Sequence, residues 1–537
     1  MDFVELFDII YWELNVYYLQ PNIFYNLKNI KKVCKKWNLF LGFNKIIRLN
    51  INTNGIISNE KIFSLKNLYN IKYLNFNKNN YISGLNCCET LLYLYCENTN
   101  ISEIPETLNC LEELYCSYCD NLRKIPEIKT LKKLVCSTTN ISEIPETLDC
   151  LEELNCSFCY NLRKIPEIKT LNKLYCTCMK ISEIPETLNC LEELNCFWCK
   201  KLIKIPEIKT LKKLNCGETK ISEIQETLNC LEELVCEYCK NLRKIPEIKT
   251  LKKLDCRLTN ISEIPKTLNC LEKLICYECK NLKKIPEIKS LKKLNCGDTN
   301  IIEIPETLNC LEELNCYECK KLIKIPDIRA YCANIRTEIF VNTKIYPEIK
   351  TLKKLDCAYT NISEIPETLN CLEELICYEC KNLRKIPEIK TLQNLDCSKT
   401  NINKIPETLN CLKELNCGLC ENLKKIPEIK ILKILYCYNT KISEIPETLN
   451  YLEELNCFEC LNLRKIPEIK TLKSLNCGAT NISEIPETLN CLEKLYCIRC
   501  EKLRKIPEIK TLKILYCWDT NISEIPETLN YLEELYR

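Results

Sequence analysis

From about residue 71 to the C-terminus, apolar residues recur at intervals of twenty, in two alternating forms. One form reads LKKLVCSTTNISEIPETLDC, Leu131 to Cys150, and the other LEELNCSFCYNLRKIPEIKT, Leu151 to Thr170. We call them the Thr unit and the Cys unit after their ninth residue. In the Thr unit the apolar positions are Leu131, Leu134, Cys136, Ile141, Ile144 and Leu148; in the Cys unit they are Leu151, Leu154, Cys156, Leu162, Ile165 and Ile168. The alternation over positions 3 to 7 predicts a short strand with one buried face. The Ile-Pro pair that follows, at Pro145 or Pro166, removes an amide donor and predicts extended or turn backbone instead of helix. Each unit therefore reads as a strand, a tight turn and an irregular return limb.

A single unit cannot bury its apolar side, so the copies must stack and share one core. Counting forward gives 13 units over 71–330, an irregular unit of 21 residues at 331–351, and nine more over 352–531. A looser copy, IIRLNINTN, opens the array at Ile46 to Asn54. The expected organisation is a non-repeating segment, 1–45, followed by an array of about 24 units over 46–537.

The spacing L-x-x-L-x-L at a fixed short period resembles the leucine-rich repeat family. The motifs T-x-I-x-E-I-P, Thr139 to Pro145, and C-x-N-L-x-K-I-P, Cys159 to Pro166, are similar to repeats of plant intracellular disease-resistance receptors. The 20-residue length is closer to the short repeats of bacterial effectors. The resemblance implies an α/β-type repeat solenoid: a horseshoe with a parallel concave sheet, a mostly non-helical convex side and a small helical N-terminal cap. In that family position 9 is usually Asn, which bonds turn backbone from layer to layer. Thr139 and Cys159 stand there instead and would fill the role with weaker donors. The implied function is protein binding on the concave face, while the ligand of any one member does not transfer.

Residues 1–45 contain FVELFDII, Phe3 to Ile10, and IKKVCKKWNLFL, Ile30 to Leu41. This order resembles an F-box, the helical module that docks on the Skp adaptor of cullin-type ubiquitin ligases. The adaptor-binding positions would be Leu6, Ile9 and Ile10 in the first helix and Val33, Cys34 and Trp37 in the last. No Leu-Pro pair opens the motif, and Pro21 comes later than the family places its proline. A plain helical cap over the first repeat is the other reading, and one segment can serve both ends.

Charge adds a register device. Lys132-Lys133 and Glu152-Glu153 occupy positions 2 and 3 of successive units, so opposite charges should face each other across strands, at about 0.2–1 kcal/mol per pair. Ser142-Glu143 beside Arg163-Lys164 would repeat the pattern on the return limb. With 28% charged residues and a net charge of +3, nothing asks for nucleic acid or an anionic membrane. The chain has no histidine, and its seven glycines form no phosphate-cradling loop. We therefore expect no enzymatic activity and no cofactor. The N-terminus lacks the basic start and small-residue cleavage site of a signal peptide, which points to the cytoplasm.

Most of the 45 cysteines occupy position 6 (Cys116, Cys136, Cys156, Cys176), position 9 of the Cys unit (Cys119) and position 20 of the Thr unit (Cys110). All three positions are expected to point inward as small buried hydrophobes. Pairs such as Cys116/Cys119, Cys156/Cys159, Cys196/Cys199 and Cys236/Cys239 have metal-ligand spacing. They recur only every second layer, about 9.6 Å apart, too far for one tetrahedral centre. Stacked position-6 thiols could meet disulfide geometry, but only in an oxidising compartment. Packing, an oxidation-sensitive ladder and metal binding are thus three accounts of one pattern.

Variation between units concentrates at positions 5, 7 and 8, the expected binding face. Aromatic side chains recur there: Tyr118, Phe158, Trp198, Tyr238, Tyr277, Tyr317, Tyr378, Phe458 and Trp518. Rigid aromatics of this kind are what protein interfaces favour. Gly217, Gly297, Gly418 and Gly478 fall at position 7 and should leave shallow pits between them. The array ends at LEELYR, Leu532 to Arg537, with an apolar edge expected to self-associate or fray. Together these readings describe a non-enzymatic intracellular recognition protein, either recruiting substrates to a ubiquitin ligase or acting as a scaffold or decoy.

Overall fold

The computed structural model describes residues 71–78, 85–327 and 352–537 and, by backbone alone, the strands Ile47–Asn50, Phe63–Ser64 and Ile82–Ser83. The chain divides into two bodies, one ending at Leu251 and the other running Lys252–Arg537.

In the first body every unit from Tyr93–Tyr95 to Glu233–Val235 gives a three-residue strand, paired in parallel with the strand of the next unit. Like positions face each other, so Leu114, Leu134, Leu154 and Leu174 form one row with no exposed surface. The expected opening copy also enters the ladder, since Ile47–Asn50 pairs with Ile71–Asn75. Among the described residues there is no α-helix. Each return limb is irregular and closes through turns such as Leu151 N–H to the Leu148 carbonyl, 3.0 Å. That is the outcome the Ile-Pro pairs require. Every apolar position read from the two type units is buried, from Leu131 at 0% to Ile144 at 3% and Ile165 at 4% exposure. Each such Leu or Ile contributes about 1.5–3 kcal/mol, and trimming one to Ala should cost about 2–5 kcal/mol.

The second body repeats the scheme from Lys253–Asp255 to Glu534–Tyr536. Its irregular unit, expected over 331–351, falls outside the described residues. The ladder passes it by: Glu313–Asn315 pairs directly with Lys354–Asp356, Leu314 opposite Leu355. Cys316 N–H reaches the Asp356 carbonyl at 2.8 Å and Lys353 N–H the Glu312 carbonyl at 2.8 Å, as in any adjacent pair of layers. The sequence carries the reason. A Cys unit precedes the segment and a Thr unit follows it, so the alternation is already unbroken without it. At the far end Leu535 is 46% and Tyr536 51% exposed, while Tyr536 stacks on Tyr516 with ring centres 4.3 Å apart.

The charge register is present. Lys133–Glu153 (2.9 Å) and Lys132–Glu112 (3.0 Å) bridge layers of the first body, and Lys293–Glu313 (2.7 Å) and Lys354–Glu374 (2.9 Å) layers of the second. On the return limbs the bridges differ from expectation. They join Glu186 to Lys204 (3.5 Å) and Glu306 to Lys324 (3.7 Å), using position 16 of the Thr unit in place of Glu143's position.

Candidate protein-binding face

Position 5 prepares the turn that carries the face. Its Asn or Asp accepts the backbone N–H two residues on, as in Gly297 N–H to Asn295 Oδ1 (3.2 Å) and Ala358 N–H to Asp356 Oδ1 (3.1 Å). The strand ladder then continues two steps past the strand, with Trp198 N–H reaching the Gly217 carbonyl at 2.8 Å. To make that bond residue 8 adopts left-handed backbone in every described unit, from Lys78 at φ 61° to Asp519 at φ 58°. None of these residues is glycine, so each such turn is strained by about 1 kcal/mol or more.

This geometry splits the aromatic row in two. Tyr118, Phe158, Trp198 and Tyr238 are the left-handed residues themselves and stand out at the turn rim, 60%, 36%, 43% and 40% exposed. Tyr277, Tyr317, Tyr378 and Phe458 lie one position earlier, half-buried on the strand face, with Trp518 more exposed in the same row. The expected glycine pits are filled. A Cβ on Gly297 would meet the Tyr277 ring at 3.1 Å, one on Gly478 the Phe458 ring at 3.0 Å, and one on Gly418 would overlap Tyr438. At each of these glycines a ring from an adjacent layer lies across the backbone. In the first body Phe197 covers Gly217 in the same way.

Position 9 links layers in pairs. Thr139 Oγ1 donates to the Cys136 carbonyl at 2.8 Å, and Cys159 Sγ, from the next layer, reaches the same oxygen at 3.1 Å. Thr299 and Cys319 converge likewise on the Cys296 carbonyl, at 2.7 and 3.0 Å. The structural period is therefore a Thr–Cys pair of layers, held by the weaker donors that replace the family's Asn. Burial pushes the Cys116 and Cys156 thiols well above the usual thiol range. Cys159 is drawn to about 6 by its hydrogen bonds with Cys136 and Thr139. Its S–H nevertheless donates to the Cys136 carbonyl and is sealed from solvent, so neither thiol is an open nucleophile. Among the described residues no three metal-ligating side chains come together. Position 20 corrects the sequence reading. Cys150, Cys190, Cys230, Cys270, Cys310, Cys411 and Cys491 are exposed, and Cys110 is half-exposed. They sit on the turn before the strand, where no apolar neighbour covers them.

In the second body the strand face opens into a groove of about 410 Å³ lined by Lys273, Ile275, Asn295, Asn315, Asp356 and Ile376, among others. Beside it Tyr359 stands edge-on between Tyr317 (5.3 Å) and Tyr378 (5.0 Å). Lys399 lies 5.9 Å over the Tyr378 ring and bonds Glu379 at 2.7 Å. A larger trough, about 1690 Å³, runs along the outer return limbs from Asn403 to Pro507. Its Ile-Pro floor and Lys/Glu walls repeat from layer to layer, so it offers little to tell one partner from another. The strand face varies and is the better candidate. Leu6, Ile9, Ile10, Val33, Cys34 and Trp37 lie outside the described residues.

Neither a protein-family model nor a curated sequence matches the chain. Solved structures do. YopM from Yersinia enterocolitica WA-314 is similar over 99% of this chain and 99% of its own, at 17% identity and a TM-score of 0.55. The Arabidopsis receptor kinase HAESA, solved in complex with the peptide hormone IDA and the co-receptor SERK1, is similar over 84% of this chain and 82% of its own. Its identity is 21% and its TM-score 0.52. Likeness at this identity is likeness of fold.

Proposed function

Taking the chain as the leucine-rich-repeat protein that this fold makes it, we propose a non-enzymatic protein-binding role. The face is the strand side of the second body around 273–376, and the occupant is an extended segment of a partner protein. The observation that carries the reading is the Tyr317–Tyr359–Tyr378 cluster beside an apolar-floored groove. Rigid aromatic side chains next to a desolvated floor supply contact area at low entropic cost, as interface centres do. HAESA, on a similar fold, is solved with a peptide hormone, which supports a peptide-like occupant. A chain without histidine and with its C-x-x-C thiols buried offers little to catalysis. The row of exposed thiols suits a reducing compartment such as the cytoplasm.

The test is affinity capture with full-length protein against a Tyr317→Ala/Tyr378→Ala variant, followed by mass spectrometry. Partners retained by the wild type and lost by the variant, with melting unchanged, support the face. Partners retained equally by both sink it.

The F-box resemblance of residues 1–45 adds a second element to the proposal, recruitment of the bound protein to a ubiquitin ligase. Pull-down of the full chain with purified Skp adaptor tests it. Binding should fall with Trp37→Ala. Its absence in the wild type leaves a scaffold or decoy.

A further inference from the structure

The turn cap at position 5 uses only half of an asparagine. In Asn295 the Oδ1 takes the Gly297 N–H at 3.2 Å, which fixes the amide's orientation and leaves its NH2 arm turned away from the turn. Among the described residues that NH2 group donates to nothing. Asn315, one layer on, differs. Its Oδ1 takes the Tyr317 N–H at 3.0 Å, and its Nδ2 donates to Asp356 Oδ2 at 3.0 Å. Asp356 in turn caps Ala358 with its Oδ1, at 3.1 Å. The groove therefore holds one closed polar pair and, beside it, one open donor. Asn195, Asn215, Asn456 and Asn476 carry the same capped amide, but of these five it is Asn295 that lines the groove.

The rest of the lining says what kind of acceptor fits. Lys273, Lys293 and Lys354 stand with Glu313, Asp356 and Glu374, three charges of each sign. Lys293 is bridged to Glu313 at 2.7 Å and Lys354 to Glu374 at 2.9 Å. A lining so balanced suits a ligand without net charge. At the two ends of the position-5 row Ile275 and Ile376 replace the amides, so the open donor lies between two apolar seats. Four strand steps separate the seats, which is about 19 Å at the spacing of paired strands. An extended chain rises about 3.3 Å per residue and turns every second side chain to the same face. Two residues six apart therefore span the seats and point the same way.

From this we infer that the groove takes an extended, uncharged segment of a protein partner laid across the strands, with a main-chain carbonyl oxygen accepting from Asn295 Nδ2. Apolar residues six apart on that segment seat on Ile275 and Ile376. The inference rests on the strand-face reading above and specifies its partner. Asn295 reads the backbone and the two isoleucines set the spacing of the side chains. A peptide carbonyl that loses water on docking needs a donor, and the Asn295 amide is the one the groove has not already used.

A display library of random 12-residue peptides, panned against immobilised full-length protein, tests it. Selected peptides are then measured by fluorescence anisotropy at low and high salt. The selective probe is Asn295→Asp, which keeps an acceptor for the Gly297 N–H, as Asp356 does for Ala358, and removes both donors. Asn476→Asp makes the same change outside the groove. Ile376→Asn places at one seat the residue that Asn295 and Asn315 already supply in neighbouring layers. These three, the wild type and Tyr317→Ala/Tyr378→Ala are each checked for an unchanged melting curve. Enriched peptides should carry two apolar residues six apart. They should bind Asn295→Asp about tenfold more weakly at both salt concentrations, bind Ile376→Asn more weakly as well, and bind Asn476→Asp like the wild type. Peptides that lack the spaced pair, that ignore Asn295→Asp, or whose loss on it vanishes at high salt overturn this inference. If the same peptides still fail on the tyrosine variant, the face stands without it. Peptides indifferent to every variant, or no enrichment at all, overturn both.

Discussion

Thr139 and Cys159 belong to different layers yet share one acceptor, the Cys136 carbonyl, at 2.8 and 3.1 Å, and their own side chains are 3.3 Å apart. This three-centre arrangement recurs down the stack and makes the two sequence forms halves of one structural period. Thr139→Val alone leaves the carbonyl with the thiol, and Cys159→Val alone leaves it with the hydroxyl. Each should cost about 1 kcal/mol. The double variant strands a buried carbonyl and should cost about 1–3 kcal/mol more than the sum. Denaturant unfolding of the four proteins checks this, and strict additivity would remove the shared acceptor from the account.

The cysteines should react in two populations. In native protein the exposed position-20 thiols, Cys150, Cys190, Cys230, Cys270, Cys310, Cys411 and Cys491, should label within minutes with a thiol-specific reagent. The position-6 and position-9 thiols, such as Cys136 and Cys159, have no exposed surface and should label only on unfolding. Peptide mapping after timed labelling distinguishes the groups. Fast labelling at Cys159 in folded protein would reopen the redox account.

The core was legible because periodicity alone fixes it: a leucine at position 4 has nowhere to go but inward. Three features were not legible, each for a physical reason. Cys110 and its row share the residue type of buried Cys136, so composition could not tell the exposed turn from the core. The left-handed backbone at position 8 is imposed by the inter-layer bond of its N–H, and residues as unlike as Trp198 and Leu258 adopt it, so no glycine marks it. The pits at Gly217 and Gly297 vanish because rings from adjacent layers lie over them, an overlap between residues twenty apart. One signal was available: Asn or Asp at position 5, as in Asn195, Asn215 and Asp255, announces the capped turn that follows.

The strain at position 8 can be relieved. Ala479 has φ 51° and no side chain beyond Cβ to lose. Glycine adopts this conformation without the Cβ clash, at the cost of a more flexible unfolded chain. Ala479→Gly should raise stability by about 0.5–1 kcal/mol, read as a higher melting temperature. A lower one would mean that the entropy term dominates.

Asp356 gives the groove a pH response. Burial holds its carboxyl above the usual range, while Ala358 N–H and the Asn315 amide oppose the shift. A carboxyl raised in the folded state is destabilising when ionised. The penalty is fully present above the folded pKa and fades as pH falls toward the unfolded value, near 4. Asp356→Asn keeps the acceptor for Ala358 N–H and matches Asn295 and Asn315 in neighbouring layers. The variant should be the more stable protein at pH 7, with the gap narrowing toward pH 4. A gap that widens on acidification would reverse the sign of the assignment.

Removing 327–347 should leave the stack intact. That deletion joins Pro326 to Glu348 and rebuilds the Ile-Pro-Glu-Ile-Lys-Thr limb found at Ile165 to Thr170. The strands on either side are already partners, with Glu313 opposite Lys354 and Asn315 opposite Asp356, and their inter-layer amide bonds have ordinary lengths near 2.8 Å. Thr368 Oγ1 donates to Asp327 Oδ1, and the deletion takes that acceptor away. Glu348 would inherit its place, as Glu167 does for Thr187 at 3.3 Å in an uninterrupted pair of layers. Closing a chain excursion between paired strands costs entropy that the deletion returns, so the shortened protein should unfold at equal or higher denaturant concentration. Hydrogen exchange at Leu314 and Leu355 should be unchanged. Faster exchange there, with a drop in stability, would mean that the segment braces the two layers it interrupts in sequence.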